Sequence, residues 1–203
     1  MQIHKPPVLI DECKKVTPVD TPKLFERIWR GSMPGIVSGL YTDRNMYYSS
    51  YLSTYVERDV RDISGTVDAL KFNRFITAVA ARTSQLLNYN ALAEDAEIDI
   101  QTAKAWVNIL ETLGIIFLLH PYSNNVLKRT IKTPKVYFYD TGLVCYLTKW
   151  SSPEVAESGA MSGALLENFT VSEIMKGYQN AGLEPYLYFY RDRDAKEIDV
   201  IME

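Results

Sequence analysis

Glu167 and Asp199 are the side chains best suited to chemistry in this 203-residue chain. Glu167 lies in a helical stretch from Gly163 to Tyr178, apolar at Leu165, Leu166, Phe169, Ile174 and Met175. Asp199 lies in Glu197 to Met202, the second of two apolar runs. The first is Tyr186 to Tyr190, and Arg191-Asp-Arg-Asp-Ala-Lys196 separates them, which reads as a β-hairpin with a charged turn. A helix carboxylate beside a strand carboxylate is the opening half of a nuclease-like site. In such a site the pair holds magnesium, and a following Glu/Asp-x-Lys completes the metal shell and activates water. Alternation places Glu197, Asp199 and Ile201 on one strand face, and Ile198, Val200 and Met202 on the other. The plainer account of Asp199 is an ion pair across the hairpin with Arg191 or Arg193.

A second constellation is basic. Lys128, Arg129, Lys132 and Lys135 fall within eight positions, just before the β-prone run Val136 to Tyr139. Residues 121–150 hold five bases against one acid, whereas residues 151–203 hold ten acids against four bases. The formal net charge of −3 makes no case for a nucleic-acid surface spread over the whole chain, so any such surface is local to that middle segment. Arg58 and Arg61 are candidates for a finger reaching a nucleotide, although Glu57 and Arg61 are also spaced as a helical i,i+4 ion pair.

Val8-Leu9-Ile10-Asp11-Glu12 imitates a strand ending in magnesium-binding acids, but no Gly-x-x-x-x-Gly-Lys-Ser/Thr loop occurs in the sequence. ATP hydrolysis by this chain alone is not expected. Two cysteines, Cys13 and Cys145, support neither a disulfide framework nor a zinc site, and fit a reducing compartment. The polar start with Pro6-Pro7 lacks a signal-peptide core, and Ile115 to Leu119 is far short of a membrane span. The expectation is a cytoplasmic protein with no membrane contact.

The elements that must position these groups follow from periodicity. Four prolines in residues 1–22 predict an extended lead-in. Thr21, followed by Pro22, is the expected N-cap of a first helix, and a second begins near Asn45. Leu70 to Gln85 predicts a third helix, followed by a short one near Asn90 to Glu94, a turn at Ala96 to Asp99 and a longer one from Ile100 to Leu113. Ile115 to Leu119 and Val136 to Tyr139 pair as strands. Three helices closed by a two-stranded ribbon is the winged-helix pattern, with Ile100 opening the recognition helix. Gln101, Thr102, Lys104 and Asn108 would then meet base edges and phosphates, and the basic loop from Asn124 to Lys135 would be the wing. Many such modules instead bind proteins or join domains. After Asp140-Thr-Gly142, a short helix (Leu143 to Leu147), a polar loop (Ser151 to Ser162), the Glu167 helix and the hairpin complete the chain.

Several spaced motifs carry a family resemblance: Trp29-Arg-Gly-Ser-Met-Pro34, Tyr51-Leu-Ser-Thr-Tyr-Val-Glu-Arg-Asp59, Ala80-Ala-Arg-Thr-Ser-Gln-Leu-Leu-Asn88 and Pro121-Tyr-Ser-Asn-Asn125. They continue with Lys128-Arg-Thr-Ile-Lys-Thr-Pro-Lys-Val-Tyr-Phe138, Asp140-Thr-Gly-Leu143, Gly163-Ala-Leu-Leu-Glu-Asn168, Tyr190-Arg191 and Glu197-Ile-Asp199. On these, nearly everything after about residue 20 resembles the C-terminal portion of predicted bacterial and archaeal AAA-superfamily ATPases. In that family a P-loop domain precedes a winged helix and an uncharacterised domain similar to PD-(D/E)XK nucleases.

The resemblance implies an α+β, mainly helical fold: a winged-helix domain, then a truncated PD-(D/E)XK-like (restriction-endonuclease-like) α/β module. Residues 1–22 would be linker, 23–65 the lid-like tail of the ATPase module, 66–141 the winged helix and 142–203 the incomplete nuclease-like domain. Glu167 and Asp199 would map onto the helix acid and first strand acid of the nuclease core, as partial catalytic and magnesium ligands. The sequence stops at Glu203, before the Glu-x-Lys of the pattern, so neither nuclease nor ATPase activity is expected of it. No cofactor is expected here; magnesium and ATP belong to the parent protein. The expected partners are duplex DNA and the upstream P-loop domain. The alternative is a non-catalytic regulatory or protein-interaction fragment whose carboxylates are structural.

Overall fold

The computed structural model describes residues 18–56, 58, 60, 68–122, 133–191 and 196–203. Lys128, Arg129, Lys132, Arg61, Arg193 and the run Val8 to Glu12 lie outside the described residues. Within them the fold is mixed and mainly helical, with small antiparallel sheets. No helix among the described residues is long and apolar enough to cross a membrane.

Short polar caps begin most of the helices. α1 (Thr21–Arg30) starts at Asp20, whose carboxylate accepts from Lys23 N at 3.1 Å. The cap is therefore Asp20 rather than the expected Thr21, because a carboxylate one residue earlier reaches the free amides with Pro22 still in the first turn. α2 (Pro34–Val37) is a single turn, and α3 (Arg44–Tyr51), capped by Asp43, runs on as a π-helical turn over Leu52–Val56. α4 (Ala69–Ala81) is capped by Asp68, α5 (Tyr89–Ala96) by Asn88 and α6 (Ile100–Thr112) by Asp99. Gly114, at φ +65, turns the chain out of α6 into β1 (Ile116–Leu119), which pairs antiparallel with β2 (Lys135–Phe138). α7 (Thr141–Leu147) follows, capped by Asp140.

The stretch expected as a polar loop contains α8 (Pro153–Ser158), capped by Ser152 and buried at Ala156. α9 (Ser162–Asn180) then leads into the hairpin of β3 (Leu187–Arg191) and β4 (Glu197–Met202).

The β1–β2 ribbon is the wall between two apolar clusters. Ile116, Val136 and Phe138 pack into a large cluster with Phe72, Phe75, Leu110 and Leu143. Phe117, Leu119 and Tyr137 face a smaller one with Val171, Met175, Leu187 and Phe189. Both faces of β2 are therefore buried, and its four residues are all sequestered from water. Its outer edge is used too: Ser84 N donates to Val136 O (2.8 Å), Val136 N to Gln85 O (3.0 Å) and Leu87 N to Pro134 O (2.8 Å). On the far side, Phe189 N donates to His120 O (3.1 Å) and Tyr122 N to Phe189 O (2.6 Å), which sews the hairpin onto the end of β1.

Candidate functional site

Glu167 and Asp199 come together, as their types suggested, but around a third group. The ammonium of Lys135 lies 2.8 Å from Glu167 Oε1 and 3.6 Å from Asp199 Oδ1, and in still closer contact with Glu197 Oε1. Lys135 is 4% exposed. Placed first on β2 and turned, like Tyr137, toward the side of the ribbon that faces α9 and the hairpin, it points away from the solvent a wing lysine would need. Its Nζ lies over the ring of Phe189, 5.6 Å from the centroid. Tyr137, two residues on, donates its hydroxyl to the same Glu167 oxygen at 2.5 Å.

The hairpin supplies its two acids through an irregularity. Tyr188 pairs with Ile201 and Tyr190 with Ile198, so Asp199 and Val200 together face Phe189 across a bulge. A bulge re-aims side chains. Here Asp199 joins Glu197 toward Lys135 while Val200 packs on the smaller apolar cluster. The cation expected for Asp199, Arg191, instead approaches Glu197 at 3.9 Å. Exposure rises from Glu167 through Glu197 to Asp199, whose side chain is 60% exposed. Glu167, Asp199, Gly163, Leu166, Thr170, Val171 and Val200 line an open cleft of about 460 Å³ beside the cluster.

Burial depresses the pKa of Lys135, but its hydrogen bonds to Glu167 and Glu197 and their charges outweigh that, leaving it above its ordinary value. The Tyr137 hydroxyl is raised strongly, first by burial and then by Glu167. Both shifts favour the protonated form: the ammonium for Lys135 and the neutral phenol for Tyr137. Among the described residues no group of three or more histidine, cysteine, aspartate or glutamate side chains is arranged to hold a metal ion.

The remaining candidates are dispersed. Gln101, Lys104 and Asn108 are exposed on α6, spaced to share one side of it. Thr102 differs: its amide (2.9 Å) and hydroxyl (2.5 Å) both bond the Asp99 carboxylate, so this side chain serves the cap. Those bonds from Thr102 hold the Asp99 carboxyl below its usual range. Arg58 is exposed.

A second polar node joins the start of the chain to its middle. Asp140, 4% exposed, caps α7 through Leu143 N (2.7 Å). It also accepts from Tyr48 OH (2.7 Å), Ser32 N (2.6 Å) and Ser32 Oγ (3.2 Å). The Arg44 guanidinium lies over the Trp29 ring, 4.2 Å from its centroid, and donates to Trp29 O (2.8 Å) and Gly142 O (2.7 Å). A Cβ on Gly142 would overlap the Tyr48 hydroxyl and sit 2.7 Å from Arg30 O, so only glycine permits this approach.

Asn168, fully buried next to Glu167, ties α9 to β2. It accepts from Phe138 N (2.8 Å), donates to Phe138 O (2.8 Å) and accepts from the Thr83 hydroxyl. Glu197, Tyr137 and Asn168 fall inside the resemblance motifs but are not among the site residues that the sequence singles out. Alternation marks the first two, each two positions from a flagged residue, and an asparagine at core helical spacing marks the third.

Over 181 residues the chain is 27% identical to an uncharacterized protein of Mycobacterium tuberculosis (strain ATCC 25618 / H37Rv) and, equally, to one of Mycobacterium bovis (strain ATCC BAA-935 / AF2122/97). Each comparison covers 88% of this chain, which spans about 40% of the length of these curated relatives. No solved structure matches it. Residues 162–203, containing α9 and the hairpin, match the family described as Domain of unknown function (DUF4143). Residues 21–154, from α1 into α8 and including the whole Asp140 node, match another, and the chain belongs to that family: Domain of unknown function (DUF8612).

Proposed function

We propose that this chain is the C-terminal part of an AAA-superfamily ATPase. It binds duplex DNA through a winged helix, and its nuclease-like half serves structure rather than cleavage. The observation that carries the DNA-binding reading is the outer side of α6, where Gln101, Lys104 and Asn108 stand exposed while Ala103, Trp106, Val107 and Leu110 are buried. Around it, the order α4, an edge segment at Ser84 to Leu87, α5, α6 and the ribbon supports a winged helix, with the Leu86–Lys135 bridge adding the short third strand. Amide and ammonium groups at these positions suit base edges and phosphates. The match of residues 162–203 to a second family, and the greater length of the relatives, support a piece of a multidomain protein whose P-loop domain lies upstream.

The alternative, a regulatory or protein-interaction fragment, shares the structural carboxylates but not the DNA. It is favoured to that extent by Lys135, which gives Glu167, Glu197 and Asp199 a structural partner. Binding of a labelled duplex over a salt series separates the two. The DNA reading expects affinity that falls steeply with salt, weakens in Lys104→Ala and is abolished when Lys128, Arg129 and Lys132 are all changed to Ala. No binding at low salt removes it and leaves the interaction fragment.

A further inference from the structure

We infer that Lys135 stands in the cation's place: its ammonium is the resident counter-ion of the Glu167–Glu197–Asp199 cluster, and a divalent metal can enter only where Lys135 leaves. This deepens the structural reading of the carboxylates and does not depend on DNA binding.

The argument begins with space. The three carboxylates converge from two elements, α9 and β4, and Nζ touches or approaches all of them. A magnesium ion, which needs oxygens at about 2.0–2.1 Å in an octahedral shell, would have to draw these carboxylates in around the space that Nζ fills. Charge says the same. An ammonium and a divalent ion within a few ångströms repel strongly in a partly buried site. Nor can the ammonium step aside cheaply. Its side chain is 5% exposed, packed on Phe189 and carried by a strand bonded along both edges. Tyr137 takes a further lone pair of Glu167, and its hydroxyl has only a proton to offer there.

Lys135 also joins elements that no backbone hydrogen bond joins directly among the described residues. It connects β2 to α9 through Glu167, and β2 to β4 through Glu197 and Asp199. In a two-carboxylate metal site the ion would make that link. Here a side chain of the ribbon makes it permanently, so the hairpin docks without metal. The cluster still has three acids for one lysine, with Arg191 near only one of them. Excess negative charge therefore remains at the cleft mouth, with the three acids gathered on an ammonium and not arranged as a metal's ligands.

The test compares Mn2+ binding, by calorimetry and thermal melts, for the unaltered chain, Lys135→Arg and Lys135→Met. The first two are expected to show no saturable binding and no Mn2+-dependent rise in Tm. Lys135→Met is expected to melt lower, to regain much of the loss in millimolar Mn2+, and to bind the ion at least about tenfold more tightly than the unaltered chain. Adding Asp199→Asn to Lys135→Met should abolish that rescue. Should Lys135→Met not fold, Lys135→Met with Glu197→Gln, which removes one uncompensated acid along with the base, carries the same comparison. Saturable Mn2+ binding by the unaltered chain that Asp199→Asn removes overturns the inference, as does a lysine-free variant that Mn2+ fails to stabilise. Neither outcome touches the duplex-binding reading, which is measured separately.

Discussion

Asp140 and Lys135 sit at opposite ends of one short stretch of chain and present opposite problems. Asp140 is a buried acid among donors: two amides and two hydroxyls share its oxygens. Lys135 is a buried base among acceptors: three carboxylates share its ammonium. The first node is closed and nearly balanced, and its members come from α1 to α3 on one side and α7 on the other. The second lies at the edge of a cleft and carries more acid than base. One is a lock whose carboxylate is shut away from water. The other borders water, because its outermost member, Asp199, is largely exposed.

The largest effect should come from opening the lock. Asp140→Ala strips the buried Leu143 amide of its acceptor, takes one from Ser32 N and leaves Tyr48 OH with Arg30 O alone, and should cost roughly 3–5 kcal/mol, read by denaturant unfolding. Lys135→Met leaves acids that are partly solvated, so its loss should be smaller, about 1–3 kcal/mol, and should shrink as salt rises. Equal losses with equal salt dependence would erase the distinction between the nodes.

Gly142→Ala drives a methyl into the Tyr48 hydroxyl and should also cost about 1–3 kcal/mol. Tyr48→Phe in the same chain should return part of it, a coupling visible in a double-mutant cycle. Smallest for stability is Lys104→Ala on exposed α6, within about 0.5 kcal/mol of the unaltered chain, while it lowers the salt slope of duplex binding by about 1.

Alkaline pH strikes both nodes. Burial raises Tyr48 and Tyr137 strongly, Lys135 is raised, and burial pushes the Cys145 thiol up to about 12. Each holds its proton more tightly when folded. Their contributions are therefore whole below the unfolded values, about 8.5 for cysteine and about 10 for tyrosine and lysine, and drain away as pH climbs through the folded ones. Stability should fall steeply above about pH 10, with Tyr48→Phe and Tyr137→Phe each flattening the fall.

Much of this architecture is legible in the sequence. β4 has the bounds that its alternation predicts, and the α4–α6 and ribbon segments lie within a few residues of their periodic patterns. α8 hides in a polar stretch because its signal is only Ser152 before Pro153, with Ala156 as the single buried residue. The site is half legible. Glu167 and Asp199 can be paired by chemistry, but Lys135 reads as one more member of a basic run because neighbours in sequence suggest a shared fate. Strand alternation breaks that grouping: Lys135 and Tyr137 share the face that meets α9, opposite Val136 and Phe138. Which acids wait across that face is tertiary information, set by a bulge at Phe189 and by the Asn168 bonds to Phe138. Neither follows from periodicity.

The central claim is that the acid cluster already holds its cation. The most direct measurement is nitrogen-15 NMR of the lysine ammonium groups, with Lys135→Arg assigning the signal. The account predicts one sharp Nζ resonance, protected from rapid hydrogen exchange and unmoved by millimolar magnesium. A Lys135 signal that exchanges as fast as a surface lysine, or that shifts saturably with magnesium, would contradict it.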